Sequence, residues 1–213
     1  VAVAVTLARL QDMTGDNSGE ALCSKAYNYL QRQMAKEVEQ LKKAAKKGIK
    51  DLRPSEAACN FLYLSAITNQ TPTADINYLV DLLAKQPTAL TIYGKSMGAI
   101  ILDHYAHKQE AQTYLKSVDQ YTVYKEDMGR YFDTPKAQYT WRDYKIPSQV
   151  AAIEAFQRLN YKRAQLVPDM QRWLLQEKRT QLWDTPINTA DAVYAFLYNN
   201  KVESLTTKTP STL

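Results

Sequence analysis

Two stretches near the end of the chain repeat one another, and this repeat constrains the fold more than any other feature of the sequence. SQVAAIEAF occupies residues 148–156, and NTADAVYAF occupies residues 188–196. The second begins 40 positions after the first, and the paired positions are Ala152 with Ala192, Ile153 with Val193, Ala155 with Ala195 and Phe156 with Phe196. A repeat of about 40 residues holding two helices is typical of stacked helical hairpins. The alanines let neighbouring helices approach closely, while phenylalanine fills the space between layers.

The same helical periodicity runs through most of the chain. Apolar residues recur three or four positions apart, which predicts amphipathic helices. The predicted helices are residues 1–13, residues 18–47 with an end at Gly48, a helix starting at Pro54, one that follows TPTAD and stops before Pro87, residues 90–106, residues 109–125 and one opening at Pro168. Residues 129–147 break the pattern with glycine, proline and aromatic residues. We expect a structured loop or a short hairpin there.

The composition favours an all-α fold. Only 6 glycines and 8 prolines occur in 213 residues, whereas an all-β sandwich needs many sharp turns. Two arrangements satisfy the repeat: an open solenoid, or helical hairpins that form part of an α/α toroid. A closed ring of six hairpins needs roughly 250–300 residues at this repeat length. We therefore expect residues 1–200 to form an incomplete toroid and residues 201–213 to be a linker, in a fragment or processed product, since the chain begins at Val1 rather than Met.

The stretch YGKSMG at residues 93–98 has the ending of a phosphate-binding loop. The full motif needs a glycine five positions before the Gly-Lys pair, because backbone amides there surround the phosphates. Ala89 occupies that position, and no strand is predicted before it. We interpret Lys95 as an exposed lysine beside small packing residues, and we predict no cofactor.

Two features that could bind ions, a pair of histidines and a lysine-rich helix end, are interpreted as structural. His104, His107 and Glu110 have helical spacing, but no third histidine or nearby cysteine completes a metal site. We interpret the two histidines as helix-end residues that suit the helix dipole, and we predict no metal. The lysine-rich end of the second helix lacks interleaved aromatic residues and any nucleic-acid motif, so we predict no nucleic-acid partner; its lysines are Lys42, Lys43, Lys46, Lys47 and Lys50. VAVAVTLARL is too short to span a membrane, and we predict no membrane contact by this chain.

Acidic and aromatic residues at predicted loop ends keep one enzymatic alternative open. They are Asp133, Asp143, Asp184 and Asp191, with Tyr139, Trp141, Tyr144 and Trp183 nearby. Glycoside hydrolysis needs two carboxyl groups at a defined separation, which sequence spacing cannot supply. We interpret Asp143 and Asp184 as solvated turn residues and Asp191 as a residue of a first helical turn, and we predict no catalytic residue. Cys23 and Cys59 are interpreted as small core residues of helices rather than nucleophiles.

The segment at residues 170–197 carries a family resemblance. An apolar helix ending in RWLL, a second tryptophan, threonines and TADAVYAFL resemble the closing part of the thioester-bearing domain of alpha-2-macroglobulin family proteins, in particular the bacterial members. The matching positions are Trp173, Leu174, Trp183, Thr185, Thr189, Ala192, Val193, Ala195 and Leu197. VAVAVTLARLQDMTGD, AQTYLKSVDQYTVYKEDMGRYF and IPSQVAAIEAF resemble earlier parts of that domain, so the similarity covers most of residues 1–200.

The chain departs from the family pattern in two places. Gln181 and Leu182 stand where the family has glycine. The thioester motif Cys-x-Glu-Gln is absent, because Cys23 is followed by Ser-Lys-Ala and Cys59 by Asn-Phe-Leu. No residue of this chain is therefore assigned a thioester role.

The resemblance implies a large periplasmic, cell-envelope or secreted protein that an attacking protease cleaves in a bait region and that then changes shape to trap the protease. This chain would be a non-catalytic part of that broad-range inhibitor, the α/α-toroid wall. Its partners would be proteases, through the longer protein, and neighbouring domains of the same polypeptide. The residues expected at the seam where the last hairpins close, with both indoles buried, are Trp173, Trp183, Thr185, Thr189 and Phe196. A toroid carbohydrate-active enzyme and a helical-repeat interaction scaffold remain the alternatives.

Overall fold

The structure is a computed structural model that describes residues 2–15, 17–85, 90–134, 145–180 and 186–198. The described residues form nine helices and one two-stranded hairpin. The helices are α1 (Ala2–Thr14), α2 (Glu20–Lys46), α3 (Glu56–Ile67), α4 (Ala74–Ala84), α5 (Ile92–His104), α6 (Lys108–Gln120), α7 (Lys145–Arg158), α8 (Leu166–Thr180) and α9 (Pro186–Leu197), and the strands are β1 (Thr122–Lys125) and β2 (Gly129–Phe132). The predicted all-α class is confirmed. The proposed linker, residues 201–213, lies outside the described residues.

Local side-chain chemistry determines several helix ends. Ser55, Thr73 and Thr91 each precede a helix, and each hydroxyl accepts a hydrogen bond from the backbone N–H three residues later. The cap at Ser55 makes α3 begin just after the Pro54 start that the sequence predicts. Gly48 ends α2 as predicted: it has a φ of +82°, and Ile49 N–H donates to the Ala44 carbonyl at 3.2 Å. That backbone bond closes the glycine-type helix end.

The helices fall into two groups that differ in how they are buried. In the odd-numbered α3, α5 and α7, consecutive residues are buried over 61–66, 95–102 and 148–157. The even-numbered helices bury a single stripe; in α4 it consists of Ile76, Leu79, Val80 and Leu83. A helix that is buried all round lies between other elements, whereas a single stripe is typical of a helix with one face toward water.

Contacts between helices follow the same division. Among the odd helices, α1 packs on α3, α3 on α5, α5 on α7 and α7 on α9, and α9 contacts α1 again. Each of α2, α4, α6 and α8 packs against both odd helices that flank it in the sequence. The odd helices therefore form a closed circuit of contacts with the even helices as a second layer. This order is compatible with a toroid, which remains a proposal.

The helix predicted over residues 109–125 is wrong beyond Gln120. Residues 122–125 form β1 instead, which pairs antiparallel with β2 so that Thr122 lies opposite Phe132. The β-branched and aromatic residues of TVYK favour a strand, and the prediction missed this preference. Gly129 has a φ of +90°, and a Cβ there would collide with the Asp169 carbonyl oxygen of α8. Within residues 129–147, where a structured loop or a short hairpin is expected, 129–132 form β2, which packs on α8. Its partner β1 precedes that range, and residues 135–144 lie outside the described residues.

The prediction that Lys95 is exposed is also wrong. The residue is 2% exposed, because α5 is surrounded by α3, α4, α6 and α7 and buries consecutive residues over 95–102. Its Nζ donates to Ser117 Oγ at 2.7 Å and lies 5.1 Å from the centre of the Tyr121 ring. None of the helices in the described ranges has the length and apolar character needed to span a membrane.

Candidate functional site

The most distinctive polar feature of the structure is a group of charged and hydroxyl-bearing side chains in the interior. They come from α1, α3, α7 and α9, which are four members of the closed circuit. We call this group the central charge cluster: Arg9, Tyr63, Glu154, Arg158, Asp191 and Tyr194. Each of these four helices also carries buried alanines, and small residues let helix backbones approach closely.

Glu154 is at the centre of the cluster, with its side chain 1% exposed. Its Oε1 accepts hydrogen bonds from the Tyr63 hydroxyl at 2.6 Å, the Tyr194 hydroxyl at 2.9 Å and Arg158 Nε at 2.8 Å. Its Oε2 accepts one from Arg9 Nη2 at 2.7 Å. Burial works to raise the pKa of Glu154, but the Arg9 and Arg158 guanidinium groups outweigh it and lower that pKa below its ordinary value. Glu154 is therefore an ionised carboxylate that is fully hydrogen-bonded.

Arg9 connects α1 to three other helices. Besides Glu154 on α7, its Nη1 donates to Asp191 Oδ1 of α9 at 2.7 Å, and its Nε donates to the Tyr63 hydroxyl of α3 at 3.1 Å. The guanidinium also lies 4.7 Å from the centre of the Tyr194 ring. A single side chain thus uses its planar fork of donors to join the first helix to the last.

Arg158 occupies the more exposed side of the cluster. Its Nη2 donates to the Tyr194 hydroxyl at 2.9 Å and to Asp12 Oδ2 at 2.8 Å, and its guanidinium lies 4.6 Å from the Tyr198 ring centre. The Arg158 and Asp12 side chains are 16% and 38% exposed. Asp12 therefore links the buried cluster to the protein surface.

The two acids of the cluster differ in their titration. Burial raises the pKa of Asp191, and Glu154 adds to this effect, although Arg9 opposes it. Burial also raises the pKa of Tyr63 and of Tyr194, so both hydroxyls remain protonated and able to donate. The cluster holds one firmly ionised carboxylate and one whose proton affinity is increased.

Asp191 is the only member of the cluster that the sequence analysis singled out, and its interpretation was wrong in detail. Asp191 is the sixth residue of α9 and so lies beyond the first turn, and it is paired with Arg9. Asp133 is exposed just after β2. The other candidate acids and their aromatic neighbours, Asp143, Asp184, Tyr139, Trp141, Tyr144 and Trp183, lie outside the described residues.

The residues predicted at the closing seam are described only in part. Trp173 is 4% exposed, as the sequence analysis expected of its indole, and it stacks on Tyr131 with ring centres 5.9 Å apart. Its Nε1 finds no hydrogen-bond acceptor among the described residues. Thr189 and Phe196 are half-buried, whereas Trp183 and Thr185 lie outside the described residues. Closure of a seam stays a prediction.

Both histidines lie at helix ends as interpreted, but only His104 lies at the C-terminal end that suits the helix dipole, whereas His107 lies at the N-terminal end of α6. His104 is the last residue of α5 and contacts the Tyr105 ring edge-on at 4.7 Å. His107 precedes α6, with its Nε2 3.6 Å from Asp81 Oδ1. Within the described ranges, no three His, Cys, Asp or Glu side chains come together in a way that could hold a metal ion.

The remaining candidates lie apart from the central charge cluster. Lys42 lies 3.5 Å from Asp75, and Lys43 lies 2.6 Å from Glu39, so both have acidic neighbours. Cys23 is buried in α2, as predicted, with its Sγ 3.8 Å from the Ala4 carbonyl oxygen. Cys59 is half-buried in α3, and burial raises its pKa to about 12. A thiol with such a pKa remains protonated and is a poor nucleophile at neutral pH.

Sequence reasoning missed Arg9, Tyr63, Glu154, Arg158 and Tyr194. A signal for two of them was present, because Glu154 and Arg158 have the i,i+4 spacing of an ion pair on one helix face. The repeat held another signal: the offset of 40 pairs Glu154 with Tyr194, and these two side chains are hydrogen-bonded to each other.

The hydrogen bonds and ion pairs of the central charge cluster suit a structural link between helices. Both carboxylates are paired with Arg9, both tyrosines donate or accept within the cluster, and no nucleophile adjoins a free base in it. Any assignment of function depends on this geometry and on the sequence, because comparisons of the chain with protein-family models, with curated proteins and with solved structures found no match.

Proposed function

We propose that this chain is a non-catalytic structural wall, part of an α/α toroid, in a bacterial alpha-2-macroglobulin-like protease trap. The observation that carries the structural part of the proposal is the tie made by Arg9 between α1, α7 and α9. It joins residues 145 and 182 positions apart in the sequence. Such a tie supports a ring of helices more directly than an open solenoid, in which the first and last helices stay apart.

The state of the cluster supports the non-catalytic part. A general acid or base needs a proton position open to a substrate, whereas Glu154 accepts four hydrogen bonds from described residues and is almost completely buried. A glycosidase would need two carboxyl groups facing a sugar. Here Glu154 and Asp191 both face Arg9. The identity of the parent inhibitor rests on the sequence resemblance.

The test uses the natural full-length protein incubated with an endopeptidase such as trypsin. A trap encloses the protease without blocking its active site. We expect trypsin to keep cleaving a small chromogenic peptide after incubation, while its digestion of casein falls strongly because casein cannot reach the enclosed enzyme. Equal loss of both activities would indicate an active-site inhibitor. No loss of either activity would show that the protein does not inhibit trypsin.

A second assay distinguishes the protease trap from the alternative of a carbohydrate-active enzyme. The protein is incubated with neutral and acidic polysaccharides, and newly formed reducing ends are measured. We expect none to form. Release that is abolished by Asp191→Asn in a protein that still folds would replace the trap with a carbohydrate-active enzyme.

A further inference from the structure

A cleft of about 620 Å³ lies between α1, α2 and the C-terminal end of α3. We call it the polar cleft. Its floor is formed by the buried residues Ala8, Cys23 and Leu64. Its walls carry uncharged polar side chains, and several of these make no hydrogen bond to another residue that the structure describes: Ser24, Asn28, Gln31, Asn69 and Thr71. Unused donors and acceptors around one concave site indicate a polar ligand.

The charge of the polar cleft limits what it can bind. Among the described residues that line it there is no lysine, arginine or histidine, although the chain contains 27 lysine and arginine residues. Its charged lining residues are Asp12 and Glu20, and Asp12 already pairs with Arg158 at 2.8 Å. Glu20 lies in the first turn of α2, where the helix dipole favours an acid. An anionic ligand would find no cation here, and a polycation would find only Glu20 without a described ion pair, so the charges favour a neutral ligand.

A second cleft has the contrasting chemistry. It measures about 910 Å³ and lies between α2, α3 and α5, where the apolar side chains of Met34, Leu41 and Met97 contribute to its lining. We call it the apolar cleft. Apolar lining is what drug-sized ligands and the side chains of bound peptides need. In the polar cleft the apolar groups are largely confined to the floor, so it suits a ligand that is polar over most of its surface.

We propose that the polar cleft binds a short neutral oligosaccharide. Sugar hydroxyl groups both donate and accept hydrogen bonds, and the carboxamides of Asn28, Gln31 and Asn69 offer both functions on one side chain. Tyr27, which also lines the cleft, is held by stacking on Phe61 with ring centres 5.3 Å apart. Its ring adds a fixed apolar surface against which the C–H groups of a sugar can pack.

The polar cleft binds its ligand without cleaving it. Glycoside hydrolysis needs two carboxyl groups that flank the sugar, whereas the Asp12 carboxylate is engaged by Arg158. The inference goes beyond the proposed trap function and does not depend on it.

The experiment measures binding of maltotriose, cellotriose, xylotriose and N-acetylated chitotriose to the natural full-length protein by saturation-transfer-difference NMR. We expect saturable binding of at least one of these sugars. The double variant Asn28→Ala/Gln31→Ala should weaken it at least about tenfold, since it removes two hydrogen-bonding side chains. Both residues are exposed on α2 and alanine is favoured in helices, so the variant should fold. The matched control is Gln33→Ala/Gln40→Ala, which changes the same helix where it lines the apolar cleft and should bind as tightly as the unmodified protein.

Three results would overturn the proposal. The first is that none of these sugars binds saturably. The second is equal weakening by both double variants, which would indicate a general effect on α2. The third is unchanged binding in Asn28→Ala/Gln31→Ala, which would place the sugar elsewhere. Sugar binding that follows the expected pattern in a protein that fails the casein assay would keep the polar cleft as a binding site and remove the trap function.

Discussion

Helices α7 and α9 carry the two copies of the sequence repeat, yet their surroundings differ. Ile153 of α7 is fully buried, whereas its counterpart in α9, Val193, is 44% exposed. The reason is the number of neighbours: α7 packs against α5, α6, α8 and α9, while α9 packs against α7, α8 and α1. The repeat therefore determines the type of helix and its small-residue face, whereas position in the circuit determines how much of the helix is buried.

The largest effect on stability is expected at Glu154 of α7, whose counterpart in the repeat on α9 is the uncharged Tyr194. Glu154→Gln leaves Arg9 and Arg158 buried with one negative partner fewer, and we expect it to lower the free energy of unfolding by about 3–5 kcal/mol. Urea unfolding followed by circular dichroism measures the change. The matched variant in α9 is Tyr194→Phe, for which a smaller loss is expected. A loss from Glu154→Gln as small as that from Tyr194→Phe would contradict the central position of Glu154.

The repeat counterparts Ile153 and Val193 test how much burial contributes to the free energy of unfolding. We expect Ile153→Ala to cost about 2–5 kcal/mol, because it leaves a cavity in a fully buried position. Val193→Ala should stay within about 0.5 kcal/mol, as is usual for exposed positions. The same unfolding assay applies to both. If Val193→Ala cost as much as Ile153→Ala in the full-length protein, Val193 would be buried there by a segment that covers α9.

The two acids, Glu154 of α7 and Asp191 of α9, should respond to pH with opposite signs. The pKa of Glu154 is lowered from 4.5 on folding, so its contribution is present above that pH and is lost as the pH falls through the lower folded value. The pKa of Asp191 is raised from 3.8, so its contribution is present below that pH and is lost as the pH rises through the folded value.

Unfolding measured from about pH 3 to about pH 7 separates these contributions. Glu154→Gln should remove part of the acid-induced loss of stability. Asp191→Asn should become more stable, relative to the unmodified chain, as the pH rises. Parallel pH profiles for both variants would show that the two carboxyl groups titrate alike.

The smallest effect is expected at the hydroxyl groups. Tyr194→Phe removes a hydroxyl that donates to Glu154 and accepts from Arg158, and we expect a loss of about 1 kcal/mol. Tyr63→Phe is its counterpart on α3 and should cost a similar amount. A loss well above this from Tyr194→Phe alone would indicate that the Tyr194 hydroxyl, which lies between Glu154 and Arg158, contributes more than an ordinary buried hydrogen bond.

Most of the helical architecture could be predicted because its signals are local. The buried stripe of α4 follows from apolar residues three and four positions apart, and the end of α2 follows from the single glycine at position 48. The strand β1 was missed because the helix prediction was extended through TVYK, although its β-branched and aromatic residues favour a strand. Burial of Lys95 could not be predicted either, since it depends on helices that surround α5 in space.

The central charge cluster was the least predictable part. Arg9 and Glu154 are 145 positions apart, and nothing in the sequence near either residue specifies the other. Their apolar surroundings indicate only that each needs a partner. Which partner it meets depends on the order in which the odd helices pack, and that order emerges from the whole fold.

A double-mutant cycle between Arg9 and Asp191 tests directly whether the central charge cluster ties the first helix to the last. The free energy of unfolding is measured for the unmodified chain, Arg9→Met, Asp191→Asn and the double variant. We predict that the two losses fail to add by about 0.5–3 kcal/mol, as expected of side chains in one buried network. Losses that add to within about 0.3 kcal/mol would show that the two residues act independently and would contradict the tie.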